Sequence, residues 1–268
     1  MPEGHTLHRL ARLHRRRFGG RSVAVSSPQG RFAAGAALVD GRALEHVEAH
    51  GKHLFHRYGP DLVVHVHLGL YGKFDDGELP VAPPRGLVRL RMIGATHYAD
   101  LHGPAACEVV TDEEAVAIHA RLGADPLRRD ADPDRAWARI SRSRAPLATL
   151  LMDQTVIAGV GNVYRAEVLF RHGLDPQRPG RSLTRGQWEL LWADLGALLR
   201  AGVRRGRIET LQPEHRPRRA GPAPSARRVY AYRRTGEPCL VCGTPIAHAP
   251  HLARNLFWCP TCQPAAPA

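Results

Sequence analysis

The sequence predicts an α+β protein of two domains: an N-terminal β-sandwich flanked by a helix at its start, then a helical domain ending in a small cysteine-bearing module. Three observations predict it. From residue 20 to about 108, apolar residues alternate or run in short β-rich stretches between turns. From residue 111 they recur at helical spacing. The last forty residues hold four of the five cysteines. The expected boundaries are 1–110, 111–228 and 229–268.

Residues 6–18 place Leu7, Leu10, Ala11 and Phe18 on one helical face, with Arg12 and Arg15 to Arg17 elsewhere. The stretches "RSVAVSS", "KHLFHRY", "DLVVHVHLGLYG" and "GLVRLRMIG" read as strands. "YGPD", "DDGELP" and "APPRG" read as turns between them. Val88, Leu90 and Met92 are expected on one face of their strand, with Arg89 and Arg91 on the other. Several short strands in one block point to a sandwich or barrel. "TDEEAVAIHARLG" then opens with an N-cap threonine and acids in its first turn, and stops at Gly123. "DPDRAWARISRS", "PLATLLMDQTV", "NVYRAEVLFRHG" and "TRGQWELLWADLGALLRAGVRRG" follow as helices. Residues 204–228, rich in Pro, Gly and Arg, read as a loop; ten arginines fall between Arg204 and Arg234.

The formal charge of +13 favours a polyanionic partner. All but Lys52 and Lys73 of the 38 basic residues are arginine, so these two lysines mark positions that suit a compact ammonium. No stretch of 18 apolar residues occurs, which argues against a membrane span, and the start lacks the pattern of a secretory signal. Cysteines in CxxC pairs fit a reduced, cytoplasmic setting.

Cys239 and Cys242 form one CxxC pair and Cys259 and Cys262 another, with 16 residues between them. Four thiolates at this spacing close a tetrahedron around one structural Zn2+ and leave no open position for chemistry. Cys107, in "AACEVV", reads as a small buried hydrophobe. Between the pairs, "TPIAH" and "NLFW" read as a hairpin with Arg254 near its turn, placed to grip a phosphate. "DQTVIAGVGNVYRAEVLF" joins two helices through Gly159 and Gly161, with Asn162 expected as the N-cap of the second. Helix N-termini of this kind bind anions. At the other end, trimming of Met1 would free the secondary amine of Pro2, which forms iminium ions with aldehydes, and Glu3 stands beside it.

Taken together, "MPEG", "GKHLF", "DQTVIAGVGNVYRAE" and "FWCPTCQ" resemble the formamidopyrimidine-DNA glycosylase / endonuclease VIII family, from Pro2 to about Gln263. "PEGH" and "HRLARLHRRRFGG" look like its endonuclease VIII branch in an actinobacterial style. The resemblance implies a helix–two-turn–helix and a β-hairpin zinc finger. It also implies a bifunctional DNA glycosylase/AP lyase of base excision repair, acting as a monomer on damaged double-stranded or bubble DNA. Pro2 would be the nucleophile, Glu3 the acid at the sugar ring oxygen and Lys52 a phosphate contact that moves protons. Asn162 and Arg254 would hold phosphates, and Leu70 and Tyr71 would enter the duplex. The branch implies oxidised pyrimidines as substrates. Oxidised purines, or a non-catalytic damaged-DNA-binding relative, are the alternatives. Two positions depart from the family pattern: Gly69, where relatives often carry a polar side chain, and Thr6, where many carry a second Glu.

Overall fold

The computed structural model describes residues 2–215 and 228–265. The chain divides into two compact units, Met1–Arg121 and Leu122–Ala268. Much of the arginine-rich stretch, residues 216–227, lies outside the described residues.

The first unit opens with α1 (Gly4–Phe18), whose Leu7, Leu10, Ala11, His14 and Phe18 form one buried stripe. Two antiparallel four-stranded sheets follow. One has the order β1 (Ala24–Ser26), β6 (Val88–Ile93), β7 (His97–His102), β5 (Lys73–Glu78). The other has the order β2 (His46–His50), β3 (His53–Arg57), β4 (Val63–His67), β8 (Ala106–Val110). Val25, Leu90, Met92, Ala99 and Leu101 of the first sheet share a core with Val47, Ala49, Leu54, Val64 and Val66 of the second. This is the expected sandwich. Cys107 packs against that core, and burial pushes its thiol up to about 12. Helix α3 (Asp112–Arg121) lies in this unit too. It starts with a reciprocal box in which Thr111 Oγ1 accepts from Glu114 N–H and the Glu114 carboxylate from Thr111 N–H.

Two features of this unit differ from the sequence reading. "DDGELP" is no turn: residues up to Glu78 form β5, and Gly77 lets the Tyr98 ring of β7 lie over it, 2.9 Å from where a Cβ would stand. The alanine-rich "AAGAALV" forms α2 (Ala33–Val39) inside the β block, because its helix propensity exceeds its strand propensity. Beyond what the sequence reading addressed, Arg91 is buried, and Asp100 on β7 accepts from its Nε and Nη2 at 2.7 and 2.6 Å.

The second unit holds α4 (Pro133–Ile140), α5 (Leu147–Leu150), α6 (Asn162–Arg171) and α7 (Arg185–Arg205). Every residue of α6 from Asn162 to Phe170 is buried, so this helix is the centre of its unit. A Thr184–Gln187 capping box starts α7, and Gly206, at φ 70°, ends it. The helix takes in Arg204 and Arg205, as the helical stretch ending "GVRRG" predicts, so the expected loop begins after them. The hairpin is β9 (Ala247–His251) with β10 (Arg254–Trp258). Its first strand begins later than "TPIAH", because Leu252 and Ala253, both at positive φ, form the two-residue turn and fix the register. Among the described residues no helix is long and apolar enough to cross a membrane.

Three buried histidines of the first unit are held neutral. Burial, then the chain's terminal amine and Arg9, lower His5 to about 4. Burial, then Arg17, lowers His14 to about 3. Burial, then His14, takes His56 well below its usual value. His14 and His56 stack and share a 2.8 Å hydrogen bond. Unfolded histidine titrates near 6.5, so below that pH the unfolded chain takes up protons that the fold refuses. Stability should be full above pH 6.5 and fall as the pH drops toward 4, by roughly 2 kcal/mol per such histidine at pH 5. Urea unfolding should show a lower midpoint at pH 5 than at pH 7; equal midpoints would contradict the neutral assignment.

Candidate active site and metal centre

Pro2 is half-buried and Glu3 is fully buried at the N-cap of α1. The Glu3 carbonyl accepts the Thr6 N–H at 2.8 Å, starting the helix. The first turn of α1 carries no acid, and the Thr6 hydroxyl there lies 3.3 Å from His5 Nε2. Backbone geometry thus places the Glu3 carboxyl directly after Pro2, with a neutral imidazole, His5, two residues on.

Lys52 sits in the two-residue turn between β2 and β3. There Gly51, at φ 58°, supplies the positive φ that a tight hairpin needs at its first central position. Burial first, then His65 and Lys52, lower His67 at the end of β4. The ammonium therefore acts on the residue that leads into "LGLYG". That segment closes through a Gly72 N–H to Leu68 carbonyl bond of 2.9 Å. It presents Tyr71 at 87% exposure and Leu70 at 39%. Gly69 has a physical reason to lack a side chain: its φ is +67°, and a Cβ would lie 2.9 Å from that of Ala105.

In the second unit Gln154 staples the two-turn connection. Its amide donates to the carbonyls of Met152 and Val160, and its oxygen accepts from Gly159 N–H. The N-cap of α6 is Gly161, and Asn162 is the first helical residue rather than the cap. Gly161 takes the extended cap conformation, and the Asn162 oxygen accepts from Arg165 one turn on. Arg254 opens β10, half-buried beside the hairpin turn.

Two residues of "NVYRAE" escaped the sequence reading. Arg165, 2% exposed, donates to both Asn162 and the Asn255 carbonyl. Glu167, fully buried, accepts from Thr210 Oγ1 at 2.5 Å and from the N–H groups of Tyr230, Ala231 and Tyr232 at 2.6, 2.9 and 2.9 Å. The available signal was two charges inside a helix that is otherwise buried all round.

The thiol sulfurs of Cys239, Cys242, Cys259 and Cys262 all lie within 4.8 Å of one another, with Cys239–Cys262 at 3.9 Å and Cys242–Cys259 at 3.4 Å. Zn–S bonds of about 2.3 Å in a tetrahedron place sulfurs about 3.8 Å apart, so the residues fit zinc. Backbone N–H groups of Val241 and Cys262 point at the sulfurs of Cys239 and Cys259 at 3.4 Å. Burial, chief among the causes, raises the thiols of Cys259 and Cys262. A dication reverses that by stabilising the thiolates.

The sequence matches three family profiles: the formamidopyrimidine-DNA glycosylase N-terminal domain at 1–121, its H2TH domain at 122–213, and the zinc finger found in FPG and IleRS at 236–265. It is 56% identical to Endonuclease 8 1 of Mycobacterium tuberculosis over 98% of this chain and all of that one. The chain belongs to the formamidopyrimidine-DNA glycosylase / endonuclease VIII family. It is also 32% identical to a Thermus thermophilus formamidopyrimidine-DNA glycosylase over 86% of each chain. Its fold is similar to that of Lactococcus lactis Fpg in complex with an abasic-site DNA, at TM-score 0.80 and 20% identity over 98% of this chain and all of that one. As a family member the chain is a DNA glycosylase and AP lyase of base excision repair, and the cysteine cluster holds one structural zinc.

Zinc removal should unfold the finger, because its small core of Tyr230, Ile246, Phe257, Cys239 and Cys259 includes two of the ligands. One zinc per chain is expected, and Cys259→Ser should lose it while the first unit stays folded. A zinc-free variant with unchanged protease resistance across 229–265 would contradict this.

Proposed function

We propose that, after removal of Met1, Pro2 attacks C1′ of an oxidised pyrimidine nucleoside in damaged DNA. The Pro2 lone pair forms the N–C1′ bond and the glycosidic bond breaks, so the base leaves with its electron pair and a proton. Glu3 protonates the ring oxygen, the sugar opens, and an iminium ion remains on Pro2. Loss of a C2′ proton then expels the 3′-phosphate by β-elimination, and δ-elimination expels the 5′-phosphate. Lys52 holds a phosphate and moves protons. Asn162 and Arg254 hold backbone phosphates. Leu70 and Tyr71 fill the gap that the extruded nucleotide leaves. The enzyme acts as a monomer on duplex or bubble DNA in the cytosol.

The observation that carries this reading is Glu3, a fully buried carboxyl fixed at the helix start next to Pro2. Tyr71, an aromatic ring almost wholly in solvent, supports the insertion role. Pyrimidine preference rests on the higher identity to Endonuclease 8 1 than to formamidopyrimidine-DNA glycosylases.

Borohydride trapping on a panel of lesion oligonucleotides tests the reading. Intact mass should show loss of Met1, and thymine glycol or dihydrouracil should trap more enzyme than 8-oxoguanine. Stronger trapping on 8-oxoguanine would favour the purine reading, and an active protein retaining Met1 would exclude Pro2. Glu3→Gln should bind lesion DNA nearly as wild type while single-turnover excision falls ~10²-fold or more. Elimination at a ready-made abasic site should fall less, because no base has to leave there. Arg254→Ala should instead weaken binding and flatten its salt dependence by about one unit.

A further inference from the structure

We propose that Arg165 is a positioning residue that sets Asn162 and the start of β10 in one phosphate-gripping arrangement; this rests on reading Asn162 and Arg254 as phosphate contacts. One terminal nitrogen of Arg165, Nη2, donates to the side-chain oxygen of Asn162 and to the backbone carbonyl of Asn255, the latter at 2.9 Å. A guanidinium only donates. The Asn162 amide must therefore turn its oxygen toward Arg165, which leaves its NH2 group to donate elsewhere. That NH2 stands on the first residue of α6, where first-turn N–H groups have no intrahelical acceptor and the helix dipole is positive. An anion is the complement of such a surface.

The second bond acts on the finger. Asn255 adjoins Arg254, so the nitrogen that orients Asn162 also fixes the backbone from which Arg254 springs. The hairpin has another tie, a 2.8 Å bond between Thr149 and His251, the cross-strand partner of Arg254, but it does not touch Asn162. Arg165 also lies where a cation is least favoured, buried in the first turn of a helix.

The test is binding to a duplex that carries a tetrahydrofuran abasic analogue, with single-turnover excision at saturating protein on a lesion duplex. Arg165→Ala should weaken binding ~10-fold or more and flatten the salt slope by about one unit. Its excision rate at saturation should fall much less. Added to the Asn162→Ala, Arg254→Ala double variant, it should cost less than about twofold more, because its effect runs through those two groups. Wild-type binding by the double variant would sink the phosphate reading itself. A weak double variant with a wild-type-like or fully additive Arg165→Ala would overturn the role of Arg165 alone. Should Arg165→Ala fail to hold zinc, Asn162→Asp decides. It keeps an acceptor for Arg165 but turns the outward donor into an anion, so binding should fall by more than ~10-fold. Wild-type affinity in Asn162→Asp would overturn the proposed orientation.

Discussion

A single buried carboxylate, Glu167, organises the second unit. It collects four donors from two chain segments distant in sequence, the Thr210 hydroxyl before the arginine-rich stretch and three successive backbone N–H groups after it. Successive N–H groups turned toward one point form an anion nest, and hydrogen bonds to a charged acceptor contribute about 1.5–3 kcal/mol each. Without the carboxylate, the buried N–H groups of Tyr230 and Ala231 would lose their acceptor. Around this bond the other side chains of α6 reach separate elements. Arg165 reaches β10, the Phe170 ring stacks on Tyr230 at 4.6 Å, and Arg171 pairs with Asp194 of α7. The finger is thereby folded onto α6 as well as around its zinc.

The first unit solves a different problem. It buries the Glu3 carboxyl at the start of α1 and keeps its buried histidines neutral. His14 and His56 occupy core positions as a hydrogen-bonded pair, and a second set lines the outward face of the β2–β3–β4–β8 sheet. There His53 bonds His65 at 2.8 Å, and His65 lies 3.0 Å from Glu108. Burial is the largest cause that lowers His53, His65 and His67. Lys52 thus stands beside imidazoles that carry no competing charge at neutral pH.

Much of the site was legible because each piece is local. Two CxxC pairs, a Pro-Glu start and a glycine-rich turn before a helix are all readable without knowing what packs on them, whereas the Gly51–Lys52 turn came only with the β2–β3 pairing. The departures have two causes: α2 follows the local helix propensity of its alanines, and the others answer to a neighbouring strand or to a side chain one helical turn along. Residues 73–78 pair with β7, where the Tyr98 ring lies over Gly77, and the Asn162 side chain is held by Arg165 rather than capping its helix. Arg165 and Glu167 looked like ordinary helix charges, since only packing reveals that α6 has no solvent face.

By itself the sequence determined the chemistry available to this protein: an acid next to Pro2, four thiolates spaced for one zinc, and an arginine-rich composition suited to a polyanion. Residue identity and short-range spacing fix those properties, and they do not depend on how the chain packs. The tertiary structure alone decided which of these groups are oriented and which are neutral. Burial sets the charge state of His5, His14 and His56, and a donor-only guanidinium turns the Asn162 amide. Orientation and protonation depend on the dielectric and the neighbours around a side chain, and those exist only once distant segments have met.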